Sequence, residues 1–146
     1  MASVGKPRLF LDANVIFSGL KSAEGPPGKL IDLYVAGEVT AVVSRLVIDE
    51  TLQSIQRKIP ESLAALRKLL LAFPPEIVDD PPVEEVNRWS KTLASEDAAV
   101  LAAAIAAQPD YFVTGDRDFL RNPIIAEASG IRIVTPGECL KRLKAK

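Results

Sequence analysis

Short apolar runs rich in β-branched or aromatic residues recur along this chain, each followed by a stretch of helical periodicity, and that alternation narrows the fold more than any other feature. Arg8-Leu9-Phe10-Leu11 becomes continuously apolar and stops at Asp12, as a strand buried on both faces does when it delivers a polar residue at its carboxyl end. Gly25-Pro26-Pro27-Gly28 breaks the chain, and Pro27 suits the start of a helix through Leu30, Ile31, Leu33 and Tyr34 that Gly37 stops. Val39-Thr40-Ala41-Val42-Val43 predicts a second strand, with Ser44 placed to cap a helix holding Leu46, Val47, Glu50, Thr51 and Ile55. Glu61 to Phe73 carries Leu63, Leu66, Leu69 and Leu70 on one helical face and ends at Pro74-Pro75; Ile77-Val78 reads as a short third strand. Val83 to Leu93 predicts a helix, and Ser95 the cap of an alanine-rich one from Glu96 to Ala107. Tyr111-Phe112-Val113 and Ile131-Arg132-Ile133-Val134 predict strands four and five, before a last helix from Pro136 to Leu143.

Strands alternating with helices at this spacing require a parallel sheet with right-handed crossovers. The expected architecture is therefore α/β, a three-layer α/β/α sandwich around four or five parallel strands. With 146 residues, 48% of them hydrophobic, the chain can bury one core, so residues 1–146 are expected to form a single domain. Met1 to Pro7 lack the basic-then-apolar pattern of a leader, and no apolar run approaches the roughly 18 residues of a membrane span, which predicts a cytoplasmic protein. In such sheets ligands bind beyond the carboxyl ends of the strands, where strand order reverses. Asp12 and Asp116 both fall at such ends.

The chain has no histidine, which removes a Ser-His-Asp triad, a Cys-His pair, a histidine-ligated zinc and a histidine general base. Its one cysteine, Cys139, makes neither an internal disulfide nor a zinc site. Any catalysis falls to carboxylates or a metal. The net charge of −1 runs mildly against a nucleic-acid partner, so contact with RNA would call for bound cations and a local basic patch.

Carboxylates gathered at one rim disfavour one another's ionisation, and a cation is the natural way to keep them charged. An all-oxygen site without histidine suits Mg2+ or Mn2+ rather than zinc or copper, and magnesium bound through a few carboxylates together with phosphates directs the reading toward phosphoryl chemistry. Each acid also has a plainer explanation. Asp12 could cap the helix that begins near Ala13, although Asn14 two residues on favours chemistry. Glu50 could be an ordinary solvent-facing glutamate beside Asp49. Asp97 could complement the helix macrodipole, a task Glu96 would serve equally. Asp116 and Asp118 could cap the following helix, yet two carboxylates beside a glycine turn exceed what capping needs. Asp79, Asp80, Glu84 and Glu85 read as a solvated linker and helix start.

Leu11-Asp12-Ala13-Asn14-Val15, Ser44 followed by Glu50, Asp97 with Ala103-Ala104, and Thr114-Gly115-Asp116-Arg117-Asp118-Phe119 resemble, in this order, the PIN-domain ribonucleases. The resemblance covers nearly the whole chain and is strongest to the VapC-like branch grouped with toxins of toxin-antitoxin systems. It implies metal-dependent endonucleolytic cleavage of RNA, with Asp12, Glu50, Asp97 and Asp116 as metal-binding catalytic residues. It further implies that Asn14 steadies the first aspartate, that Thr114 lies beside the substrate or a metal-bound water, that Ser44 shapes the rim, and that Asp118 supports the site or replaces a ligand. A homodimer and an antitoxin partner covering the acidic rim are implied as well. Cys139 departs from the aromatic residue that relatives often carry there.

Arg45, Arg117 and Arg121 are the candidate contacts to an RNA backbone, with Lys21 and Lys29 behind them, each also explicable as surface solubility. The tail from Lys141 to Lys146 suits a helix carboxyl end, and Trp89 and Leu93, four apart, suit internal packing or a dimer seam better than base stacking. A phosphatase of the haloacid dehalogenase type also starts with a strand ending in aspartate, but Asn14 stands where its acid-base group would be. A receiver domain would want a phosphoacceptor aspartate after Val43, and a dinucleotide-binding domain a glycine-rich turn after strand one. A non-catalytic RNA- or protein-binding module of the same fold is the remaining alternative.

Overall fold

The computed structural model of the protein describes residues 5–145; the start of the segment read for a leader and the last lysine of the basic tail lie outside it. Five parallel strands form one sheet in the order β3-β2-β1-β4-β5, with β1 at Arg8–Leu11, β2 at Thr40–Ser44, β3 at Glu76–Val78, β4 at Tyr111–Val113 and β5 at Ile133–Val134. Successive residues of a strand point to opposite faces. Leu9, Phe10 and Leu11 are all buried, as are Tyr111, Phe112 and Val113, so helices must cover both sides of the two central strands. The helices are α1 (Ala13–Lys21), α2 (Pro26–Val35), α3 (Arg45–Lys58), α4 (Leu63–Ala72), α5 (Val83–Trp89), α6 (Ser95–Ala107), α7 (Arg117–Leu120), α8 (Pro123–Ser129) and α9 (Pro136–Lys144). This is the parallel α/β architecture that the sequence predicts.

Local chemistry accounts for most boundaries. Ser44 accepts from the Val47 amide and caps α3, and Thr135 with Glu138 closes a reciprocal cap at the start of α9. Gly28 is required by close approach, since a Cβ there would collide with the backbone of Ala23. Ala98, Ala102, Ala103 and Ala104 are buried, and these small side chains let α6 pack closely on β2.

Several boundaries differ from the sequence reading. The helix expected over Val83 to Leu93 ends at Trp89, because the Ser90 hydroxyl donates to the Asn87 carbonyl and competes with the helical ladder. Trp89 and Leu93 nevertheless both bury, which places them in the core rather than against a base. Ser95 is the first residue of α6 rather than its cap; the cap position belongs to Ala94, which offers no side-chain acceptor. The helix expected from Glu61 opens as a 3-10 turn at Pro60–Ser62, and the fifth strand shortens to two residues. The seven-residue α8 was not anticipated, although its signals are present: Asn122 caps it, Pro123 starts it and Gly130, at φ 71°, ends it.

An aromatic ladder ties the sheet to the segment after β4. Phe10 meets Phe112 edge-on at 5.5 Å, and Phe112 meets Phe119 of α7 at 5.0 Å. Such pairs contribute about 0.5–1.5 kcal/mol each beyond burial. Phe119, fully buried, thereby anchors the short helix that carries Asp118. Among the described residues, no helix is long and apolar enough to cross a membrane.

Candidate active site

Strand order reverses at β1: the chain builds outward through β2 and β3 on one side, then returns to add β4 and β5 on the other. Leu11 and Val113 are register partners, so the next residues, Asp12 and Thr114, leave adjacent strands at the same edge. The Asp12 amide still donates to the Val113 carbonyl at 3.0 Å, which fixes the exit angle.

Asp12 is 7% exposed and its carboxylate is held on three sides. One oxygen accepts from the Ala13 amide at 2.8 Å, and the other accepts from the Thr114 hydroxyl at 2.7 Å and from the Asn14 side-chain amide at 3.1 Å. Burial pushes this carboxyl above its ordinary range; the Thr114 and Ala13 donors oppose that, Asp116 reinforces it, and Asn14 opposes it. The Thr114 hydroxyl also accepts from the Asp116 amide at 3.0 Å, and the Asn14 carbonyl oxygen accepts from the Gly115 amide at 2.9 Å. Thr114 itself is fully buried, so its hydroxyl joins the two aspartate-bearing segments from behind.

The remaining acids arrive from separate helices. Asp12, Glu50 of α3, Asp97 of α6 and Asp116, the cap of α7, line one cleft of about 220 Å³ together with Ala13, Asn14, Phe17, Ser54 and Lys58. Carboxylate oxygens of Asp97, Asp116 and Asp118 all lie within 4.8 Å of one another. Asp116 also accepts from the Asp118 amide, so it caps a helix and faces the cleft at once. Burial, then the charges of Asp12, Glu96, Asp97 and Asp116, push the Glu50 carboxyl up to about 7. Burial, then Asp116, Asp12, Asp118 and Glu96, push Asp97 up to about 6. Asp97, rather than Glu96, stands in the cluster, while Glu96 adds its charge from an exposed position.

This donor set is all oxygen, with neither imidazole nor thiolate; Cys139 is buried elsewhere in the core, its thiol pushed up to about 11 by burial. Carboxylates this crowded fit a hard divalent cation of the Mg2+ or Mn2+ kind, with Asp97, Asp116 and Asp118 as the tightest group. Asp118 thus joins the cluster more closely than a purely supporting role requires.

Other residues singled out in the sequence stand apart from the cleft. Ser44 and Arg45 line a neighbouring groove with Asp49 and Asp80. Arg117 and Arg121 are exposed at either end of α7, and Lys21 and Lys29 are exposed on α1 and α2. Arg142 of the basic tail lies over the Tyr111 ring at 5.9 Å. Phe17, Ser54 and Lys58 are the cleft residues that sequence reasoning missed; the signal available was spacing, since Glu50, Ser54 and Lys58 succeed one another at four-residue steps along one helical face.

Asn14 makes the sharpest local test. Asn14→Ala removes a donor to Asp12 and the acceptor of the Gly115 amide, while its exposed position limits damage to the core. Partners that orient ligating groups typically contribute 10–100-fold, so the variant is expected to lose about 10–100-fold in any metal-dependent activity, with an unchanged far-ultraviolet circular dichroism spectrum.

A family model described as PIN domain matches residues 8–118. No curated protein matches the chain. Among solved structures, the PAE2754 protein of Pyrobaculum aerophilum aligns with a TM-score of 0.67 at 19% identity, over 96% of this chain and 97% of that one. VapBC2 of Rickettsia felis, bound to a DNA fragment from its promoter, aligns with a TM-score of 0.62 at 17% identity, over 88% and 98% of the two chains. VapC20 of Mycobacterium tuberculosis, described as a sarcin-ricin loop cleaving toxin, aligns with a TM-score of 0.57 at 15% identity, over 77% and 93%.

Proposed function

The chain belongs to the PIN domain family, and from that premise we propose that it is a metal-dependent endoribonuclease, the toxin half of a toxin-antitoxin pair. The observation that carries this reading is the arrival of Asp12, Glu50, Asp97 and Asp116 in one cleft from four separate elements, with Asp118 beside them. Burial, and then the neighbouring carboxylates, raise the proton affinity of Glu50 and Asp97, a cost that a bound cation would offset. The likeness to VapBC2 and to the sarcin-ricin loop cleaving toxin VapC20 supports the toxin assignment, and a homodimer and an antitoxin covering the cleft belong to the same proposal.

In this reading Asp97, Asp116 and Asp118 would hold Mg2+ or Mn2+, with Asp12 and Glu50 completing the acidic set. Bound there, such an ion would supply Lewis acidity toward a water and a phosphodiester. The chain's own contribution is position. Thr114 and Asn14 fix the Asp12 carboxylate and tie it to the Gly115-Asp116 turn, and the Phe112–Phe119 contact keeps α7 from shifting.

Incubation of single-stranded and structured RNA with the full chain tests the proposal. Internal cleavage in magnesium or manganese, abolished by chelator, is the expected result. RNA left intact under every metal condition, while still bound, would instead make the protein a scaffold.

A further inference from the structure

A cleft lined by four carboxylates repels a phosphate backbone, so a nucleic-acid substrate needs a fixed cation close by. Among the described residues, Lys58 is the only basic one lining that cleft. Its ammonium lies 5.5 Å from the centre of the Phe17 ring, a cation–π contact that holds the long side chain over a preformed platform. Among the described residues it has no carboxylate partner, so its charge is available to a ligand. The three arginines favoured from sequence lack this placement: Arg45 faces the neighbouring groove with Asp49 and Asp80, and neither Arg117 nor Arg121 lines the cleft.

The helix fixes the distance. Glu50, Ser54 and Lys58 follow one another along one face of α3, and eight residues at the helical rise separate Glu50 from Lys58 by roughly 12 Å along the axis. That separation is one of backbone, and all three side chains line the same cleft. Their order suits a strand that enters at Lys58, passes the Ser54 hydroxyl and arrives at the acids.

We propose that Lys58, seated on Phe17, is a substrate-binding residue that grips a phosphodiester flanking the scissile one and sets the path of single-stranded RNA through the cleft. The proposal rests on the nuclease reading for its substrate and adds a direction to it. Because Lys58 follows Glu50 by two helical turns and its ammonium is seated on Phe17, it acts on strand binding rather than on the bond-breaking step. Loss of its charge therefore raises KM and leaves kcat unchanged.

The test is equilibrium binding of a labelled single-stranded oligouridylate to the full chain in magnesium, across a series of salt concentrations, in an Asp12→Asn background that spares the RNA. Lys58→Gln is expected to weaken binding about three- to tenfold and to flatten the dependence of log affinity on log salt by about 0.7, the signature of one lost phosphate contact. Lys58→Arg should restore both, since it keeps the charge and the seat on Phe17; a merely structural lysine would leave the salt slope unmoved. Unchanged affinity and slope in Lys58→Gln, or no RNA bound at all, overturns the proposal. If the salt slope falls as expected but the unmodified chain cuts no RNA with any metal, Lys58 stands and the nuclease reading goes. If the chain cuts RNA and Lys58→Gln binds and cuts as before, the reverse holds.

Discussion

Asp12→Asn is expected to leave a folded chain whose RNA cleavage falls by at least about a hundredfold. Partners that merely orient ligating groups contribute 10–100-fold, and Asp12 belongs to the acidic set itself. The fold should survive because the local terms nearly cancel. One Asp12 oxygen receives the Thr114 and Asn14 donors and the other receives the Ala13 amide. An asparagine turned to keep the first two presents its own N–H groups to the Ala13 amide and forfeits that hydrogen bond, at about 1 kcal/mol. In exchange it removes a charge whose burial and nearness to Asp116 push the carboxyl upward. The melting temperature should therefore stay within a few degrees of the parent value, and full turnover in such a folded variant would take Asp12 out of the chemistry.

The second large effect is on stability, and its sign is the reverse of the usual carboxylate case. Glu50 rises from 4.5 to about 7 and Asp97 from 3.8 to about 6, so between those limits the folded chain binds more protons than the unfolded one. Stability contributed by these two groups is complete below the unfolded values and is lost as pH climbs through the folded ones. Glu76, held low by its hydrogen bond to Arg8, and Glu138, held low by Thr135, act oppositely and lose their contributions on the acid side. In chelator, the melting temperature should decline toward neutral pH. Manganese competes with protons for the same oxygens, so its benefit should grow over the same interval. At a hundredfold excess over its dissociation constant, a ligand of the folded state adds about 2.7 kcal/mol, or roughly 5–10 °C for a chain of this size. A melting temperature indifferent to manganese above pH 7 would show that the acids hold no such ion.

Sequence alone displayed the sheet well because its central strands are buried on both faces and must be apolar at every position, as Leu9-Phe10-Leu11 and Tyr111-Phe112-Val113 are. It displayed the helix lengths less well, because these depend on side chains that compete with the backbone, as Ser90 does at the end of α5. Short elements such as α8 carry too few residues to show a period, although their caps were readable. Within the site, Asp12 and Asp116 were visible because strands end at them. Their tie through Thr114 spans 102 residues and no local pattern encodes it. Lys58 escaped notice for a related reason: its significance depends on Phe17, which approaches it only through the packing of α1 on α3.

The place of β1 between β2 and β4 also has a temporal side. Asp12 is synthesised before the strand that completes its surroundings, Tyr111–Val113, and 106 positions before Asp118 of α7. At typical synthesis rates that interval lasts roughly 5–20 s. Throughout it the nascent polypeptide holds only part of the acidic set, so the assembled cleft is absent until β4 and α7 have both emerged.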